Sequence, residues 1–320
     1  MKRIAVLTSG GDSPGMNAAI RAVVRTGISE GMEVIGIRRG YQGLVEGNFI
    51  LMDTGSVSGI INHGGTVLHS ARSLEFKTPE GFARAVDNLH QAGIDGLVVI
   101  GGNGSQRGNY ELSTNADFPV VGVASTIDND LYGSDYTIGF DTAVNTALES
   151  IDRLRDTATS HDRIFIIEVM GRSRGFVALH VGIAGGAEAV LVPELPWKLE
   201  EVVDVIQRGY RRGKKSYLIV VAEGAAHGLE LAEQVEEATG YETRATVLGH
   251  VQRGGSPSAQ DRVLASQLGA YAVRFLQSGE RGVLVGEQNN CIVTTPLEEV
   301  WSKDKPLDPE MIELVKVLGA

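Results

Sequence analysis

An α/β fold, with two Rossmann-like domains whose mainly parallel sheets are covered by helices, is predicted by three features of the sequence. Short apolar runs recur along the chain, each run is continuous and not alternating, and helix-like stretches lie between many of them. Continuous runs suit strands buried on both faces, as in a parallel sheet with helices on either side. Alternation on this scale gives open sheets whose ligands sit at the carboxyl ends of strands. The length of 320 residues exceeds the roughly 250–300 at which single cores stop growing, so two domains are expected.

Ile4–Leu7 is the first strand run, followed by TSGGDSPG (8–15) and the helix-like Asn17–Ser29. Val34–Ile37 comes next, then a helix over Pro79–Ala92 and the run Leu97–Ile100, which breaks into GGNGS (101–105). Val120–Val123 leads into STIDND (125–130) and a helix over Thr142–Thr157. Ile164–Ile167 precedes MGRSRG (170–175), after which Val190–Val192, Leu199–Arg212, Tyr217–Val221 and Glu230–Thr239 alternate. Ala259–Gln277 is the last long helix and Val283–Val285 the last strand run. Two segments, GGDSPGMNAAIR (10–21) and GGSPSAQDRVLA (254–265), share a construction of Gly-Gly, Ser-Pro and a helical pattern. Serine is expected to cap each helix with proline at its first position, leaving backbone N–H groups for an anion.

Lys+Arg 29 against Asp+Glu 40 leaves a net charge of −11. Non-specific nucleic-acid or anionic-membrane binding needs a clustered basic surface and is not expected. Any basic cluster formed in space then has a specific job. The single Cys291 leaves no partner for an intrachain disulfide or a multi-cysteine metal site. No segment approaches the ~20 apolar residues of a membrane span, so a cytoplasmic protein is expected.

The glycine-rich segments 8–15 and 101–105 let backbone amides approach phosphate oxygens. Neither matches GxxxxGK[ST] or GxGxxG, and each alone is equally a tight turn. In STIDND, Thr126, Asp128 and Asp130 bring several oxygens to the end of a strand. A metal-solvating acid and a general base suit phosphoryl transfer to a hydroxyl, while an Asx-rich turn is the plainer alternative. Arg163, Arg244 and Arg253, with Glu223 and His250, lie beside apolar runs. Arginine's fork matches phosphate oxygens, although any one of these arginines is equally a surface ion-pair partner.

Taken together, TSGGDSPGMNAAIR, GGNGS, TIDND, IGFDTAVNT, DTATSHDR, EVMGR, TVLGHVQRGGSP and QDR closely resemble the bacterial ATP-dependent 6-phosphofructokinases, from Met1 to about Gln288. The resemblance implies a glycolytic kinase, a transferase that moves the γ-phosphate of ATP to the 1-hydroxyl of fructose 6-phosphate with Mg²⁺. It implies Asp128 as general base, Thr126 and Asp130 as aids to substrate and metal, and Arg172 as the stabiliser of the transferring phosphoryl. ATP would be held by Gly11, Tyr41, Arg72, Ser73, Gly102, Asn103, Gly104, Ser105 and Gly108. The sugar phosphate would be held by Thr126, Asp128, Asp130, Met170, Gly171, Arg172, Glu223, His250 and Arg253, with Arg163 and Arg244 from a neighbouring subunit. Shared sites imply a homotetramer, a dimer of dimers. Residues 1–138 with 252–302 would form the larger, ATP-binding domain and 139–251 with 303–320 the smaller, sugar-phosphate domain, with the active site in the cleft between them.

An effector site for ADP and phosphoenolpyruvate is also implied, at Arg21, Arg25, Arg155, Gly186, Glu188, Arg212, Gly213, Lys214 and Lys215. Thr54, Gly59 and Ser216 stand where relatives often carry a charged or imidazole side chain, which is expected to blunt the response. Pyrophosphate-using relatives usually carry aspartate at Gly104 and lysine at Ser125, so the small residues here favour ATP. Asn103 replaces a usual aspartate, leaving Asp130 to carry more of the metal binding. A NAD kinase-like enzyme shares the glycine loop but lacks the other motifs, and a nucleotide sensor without catalysis is the non-enzymatic alternative.

Overall fold

The computed structural model describes residues 1–161, 163–214 and 216–319. Two compact units emerge, Met1–Thr142 with Arg253–Lys305 and Ala143–Gln252 with Pro306–Ala320. The first contains β1 (Arg3–Ser9), α1 (Met16–Ser29), β2 (Glu33–Ile37), α2 (Gly40–Glu46), β3 (Phe49–Met52), α3 (Pro79–Gln91), β4 (Gly96–Gly101), α4 (Asn103–Asn115) and β5 (Val120–Ala124). Helix α5 (Phe140–His161) leads into the second, made of β6 (Ile164–Val169), α6 (Phe176–Gly185), β7 (Ala189–Leu191), α7 (Leu199–Arg211), β8 (Tyr217–Ala222), α8 (Gly228–Thr239) and β9 (Thr243–Val247). The chain then returns to the first unit through α9 (Ala259–Gln277), β10 (Val283–Gln288), β11 (Cys291–Pro296) and α10 (Leu297–Ser302), and α11 (Pro309–Gly319) completes the second. Among the described residues no helix is long and apolar enough to cross a membrane.

The first sheet has the order β11-β10-β5-β4-β1-β2-β3, parallel except for β3 and β11 at its edges. β1 pairs with β2 on one side and β4 on the other, through Ile4↔Val34 and Ile4↔Gly96. Strand order therefore reverses between β1 and β4, and such a switch point opens a crevice at the carboxyl ends. The fully buried Ile4, Leu7, Leu97 and Ile100 make these strands the centre of the core. α1 and α9 pack closely enough that a Cβ on Gly269 would sit 2.7 Å from the Ala19 carbonyl oxygen. The second sheet, β7-β8-β6-β9, is parallel throughout.

The shared Ser-Pro construction does not cap its helices as expected. α1 starts after the left-handed Gly15, with no side-chain cap, because the Ser13 hydroxyl is engaged 2.8 Å from that of Ser125. α9 is capped by Ser258, whose Oγ accepts from the Asp261 N–H, so Ser256 and Pro257 lie before the helix. The supposed loop 101–105 is also different. Asn103 begins α4, whose polar sequence hides the helix while Gln106 Nε2 anchors it by donating to the Gly101 carbonyl at 3.0 Å. α6 escapes sequence detection for the opposite reason: FVALHVGIAG is apolar nearly all round and shows no helical stripe.

Candidate active site

At the carboxyl ends of β1, β4 and β5 the backbone does most of the shaping. Gly10 adopts φ 84°, and a Cβ there would lie 3.1 Å from Ser105 Oγ. A Cβ on Gly11 would come within 2.4 Å of the Arg253 guanidinium, whose Nη1 donates to the Asp12 carbonyl at 3.2 Å. Arg253, expected on a sugar phosphate, thus lies within the first unit and braces its first glycine turn. α4 starts behind Gly102 with no side-chain cap; the Ser105 N–H donates to the Gly102 carbonyl at 2.9 Å, which leaves the N–H groups of Asn103 and Gly104 for an anion. A Cβ on Gly104 would meet nothing within 4 Å, whereas one on Gly102 would lie 3.3 Å from Thr126 Cβ.

Tyr41 and Gly108 back this turn from inside. The Tyr41 hydroxyl donates to the Ser105 carbonyl at 2.7 Å, its ring stacks on Phe76 at 4.4 Å, and burial pushes its pKa well above the usual value. A Cβ on Gly108 would be 2.8 Å from that ring. Ser73 is taken up locally, donating to Gln42 Oε1 at 2.8 Å and accepting from the Phe76 N–H, while Arg72 is exposed.

After β5, Thr126 Oγ1 accepts the Asp128 N–H at 3.2 Å and the Thr137 hydroxyl donates to the Thr126 carbonyl at 2.6 Å. Asp128 is buried. Asn129 is held at φ 52° by its amide, which donates to the Asp135 carbonyl and accepts the Thr137 N–H, both at 3.0 Å. The Thr126–Asp128 bond is the local hydroxyl-to-backbone contact of a plain turn, and Thr137 and Asp135 brace it from further along the chain. Lys305, absent from the sequence reading, donates to the same Asp135 carbonyl at 2.8 Å. Burial pulls its pKa down to about 8, against the raising influence of Asp135 and Asp130.

In the second unit the order comes from carboxylates. Glu223 Oε1 accepts the N–H groups of Arg172 and Gly171 at 2.7 and 3.2 Å, and it holds Arg172 at the left-handed φ of 54°. Met170 is fixed by its N–H, which donates to Gln252 Oε1 at 2.8 Å. Arg163 and Arg244 share Glu242, at 2.8 and 2.6 Å, and these guanidiniums, Arg163 first, lower the Glu242 pKa. Glu242 was missed in the sequence because an acid between two arginines looks like an ordinary surface pair. His250 is exposed.

Of the expected effector residues, Lys214 pairs with the buried Glu188, which also accepts the Leu218 N–H at 2.6 Å. Arg155 donates to the carbonyls of Gly185 and Gly186. Arg212 and Gly213 follow α7, and Lys215 lies outside the described residues. Arg21 and Arg25 lie on α1 of the first unit.

These features fit a nucleotide's phosphates: an uncapped helix start, a glycine with open space beside it, and glycine turns on both sides of a strand-order reversal. Asn103 and Asp130, the residues that would hold the metal, follow the adjacent strands β4 and β5. Mg²⁺ takes one or two side-chain oxygens and completes its shell with phosphates and water, so this modest donor set also fits.

Fold and site together define an α/β enzyme of phosphate-ester chemistry. A family model described as Phosphofructokinase matches residues 3–276, and the chain belongs to the phosphofructokinase family. It is 57% identical to ATP-dependent 6-phosphofructokinase 1 of Thermus thermophilus and 55% identical to the ATP-dependent 6-phosphofructokinase of Bacillus velezensis, with all of each chain covered. The solved phosphofructokinase of Saccharomyces cerevisiae superposes on 94% of the chain with a TM-score of 0.88 at 35% identity. Our chain spans 44% of that larger one.

Proposed function

We propose that the chain catalyses the glycolytic transfer of the γ-phosphate of ATP to the 1-hydroxyl of fructose 6-phosphate, giving fructose 1,6-bisphosphate and ADP. The observation that carries the proposal is the braced Thr126–Asp130 turn after β5, next to the uncapped start of α4 after β4. The Asp128 carboxylate accepts the proton of the sugar hydroxyl as its oxygen bonds to phosphorus. Thr126 fixes Asp128 by accepting its N–H. The Asn103 and Gly104 amides that open α4 bind phosphate oxygens, and the Arg172 guanidinium neutralises charge on the transferring group. Mg²⁺ when bound, held by Asp130 and Asn103, offsets phosphate charge.

The open space at Gly104 supports ATP over pyrophosphate, since a nucleoside donor needs room there. The larger unit then binds ATP and the smaller unit the sugar phosphate. Met170, Gly171, Glu223 and His250 of the smaller unit serve the sugar-phosphate site, joined by Arg253 of the larger one, with Arg163 and Arg244 contributed across subunits of a homotetramer in the cytoplasm. The Glu188–Lys214 pair with Arg155 and Arg212 supports an ADP and phosphoenolpyruvate site, whose response Thr54, Gly59 and Ser216 weaken.

A coupled assay with fructose 6-phosphate, Mg²⁺ and either donor tests the proposal. Turnover with ATP is expected. Turnover with pyrophosphate alone overturns the donor, and none with either favours a nucleotide sensor.

A further inference from the structure

In a chain of net charge −11, one cavity of about 760 Å³ in the second unit gathers cations. Its walls come from β7, the segment after it, α7 and α11. Val190, Val192, Val202, Val205 and Val315 make an apolar floor, with Trp197 beside them. Lys198, Arg208, Arg211, Arg212 and Lys316 border it, against two acids, Glu188 and Glu201. Glu188 is already occupied by Lys214 and the Leu218 N–H.

The arrangement follows from the helix period. Glu201, Val205 and Arg208, spaced i, i+4 and i+7, share one face of α7, which becomes basic toward its C-terminal end, and Arg212 follows at the C-cap. Arg208 and Arg211 also suit the negative end of the helix dipole. That does not explain Lys198 at the N-cap, where a cation is disfavoured; Lys316, in the last turn of α11, suits that helix's dipole and pairs with Glu313. Lys198, Arg208, Arg211 and Arg212 form no ion pair among the described residues.

We propose that this cavity binds an amphipathic anion, with an alkyl or aryl body against the valine floor and a phosphate or carboxylate head among the arginines. The volume is that of a small-ligand site, and the guanidinium forks match such a head. The site does not depend on the reaction proposed above and shares with the candidate effector group only Glu188 and Arg212.

Trp197 is one of two tryptophans, so its emission can be isolated in a Trp301→Phe background. Monomeric dodecyl phosphate is expected to change that emission saturably, and inorganic phosphate and dodecanol to bind about ten-fold or more weakly. Arg208→Glu with Arg211→Glu, both at exposed positions, is expected to weaken dodecyl phosphate by about ten-fold or more while the circular-dichroism melt and basal kinase activity stay unchanged. The absence of a saturable response overturns the proposal, as does equal binding of inorganic phosphate or an unaltered affinity in the double variant. A response only to phosphatidylglycerol vesicles overturns it in favour of a membrane surface.

Discussion

The turns after β1 and β4 are shaped by what is missing from side chains, whereas those after β6 and β8 are shaped by charge. Gly10, Gly11, Gly102 and Gly108 each sit where a Cβ would press on a neighbour, so fit is steric and read by the backbone. In the second unit Glu223 clamps the turn that carries Arg172, and Glu242 gathers Arg163 and Arg244. A steric scaffold fails when atoms are added. An electrostatic one fails when charge is removed, and so the two can be separated by experiment.

The largest effect is expected at the chemistry that both scaffolds serve. Asp128→Asn should lower kcat by about 10²–10⁴-fold, the usual contribution of a general base, with the thermal melt little changed. A loss below ten-fold in a steady-state assay removes Asp128 from that role.

Glu223→Gln tests the charged clamp. It keeps the shape but weakens the grip on the Arg172 N–H, so kcat/KM should fall about ten-fold or more through misplacement of one group, again with little change in melting. Unaltered kinetics would show that the turn holds without the charge.

Gly108→Ala tests the steric side. Overpacking against Tyr41 costs about 1–3 kcal/mol and should outweigh the roughly 1 kcal/mol by which alanine favours a helix. Gly104→Ala, with open space around it, should stay within about 0.5 kcal/mol by urea unfolding. Equal melts for the two variants would remove the distinction.

Asn103→Asp adds a carboxylate to the proposed metal shell and should lower the half-saturating Mg²⁺ a few-fold or raise turnover. If magnesium titration shows neither, only the backbone at 103 matters.

The smallest effect concerns Lys305. Its pKa in the folded chain, about 8, lies below the ordinary lysine value of 10.5, so the unfolded chain binds more protons between those values and stability rises with pH across that window. Lys305→Met should flatten the rise in melting temperature from pH 8 to 10.5. An unchanged slope would assign it to other groups.

The α/β class was legible because runs such as Leu97–Ile100 and Tyr217–Val221 are buried on both faces and have no polar alternation to confuse them. β3 and β11 were not, since antiparallel edge strands such as CIVTTP carry mixed faces. GGNGS was recognisable as a phosphate-type turn, but the helix beginning at Asn103 depends on Gln106 reaching back to the strand end. MGRSRG and the arginines stood out by residue type. Glu223 stood out too, but as a sugar-phosphate ligand and not as the clamp of the Arg172 turn, and Glu242 did not, because its pairing with Arg163 joins residues far apart in the sequence.

Arg172 sits in a conformation that glycine adopts without strain and that disfavours other L-residues by about 1–2 kcal/mol. The position is therefore one where heat tolerance and activity pull in opposite directions. A library selected for survival of heating alone should accept glycine at 172, while one selected for growth on sugar should return arginine every time.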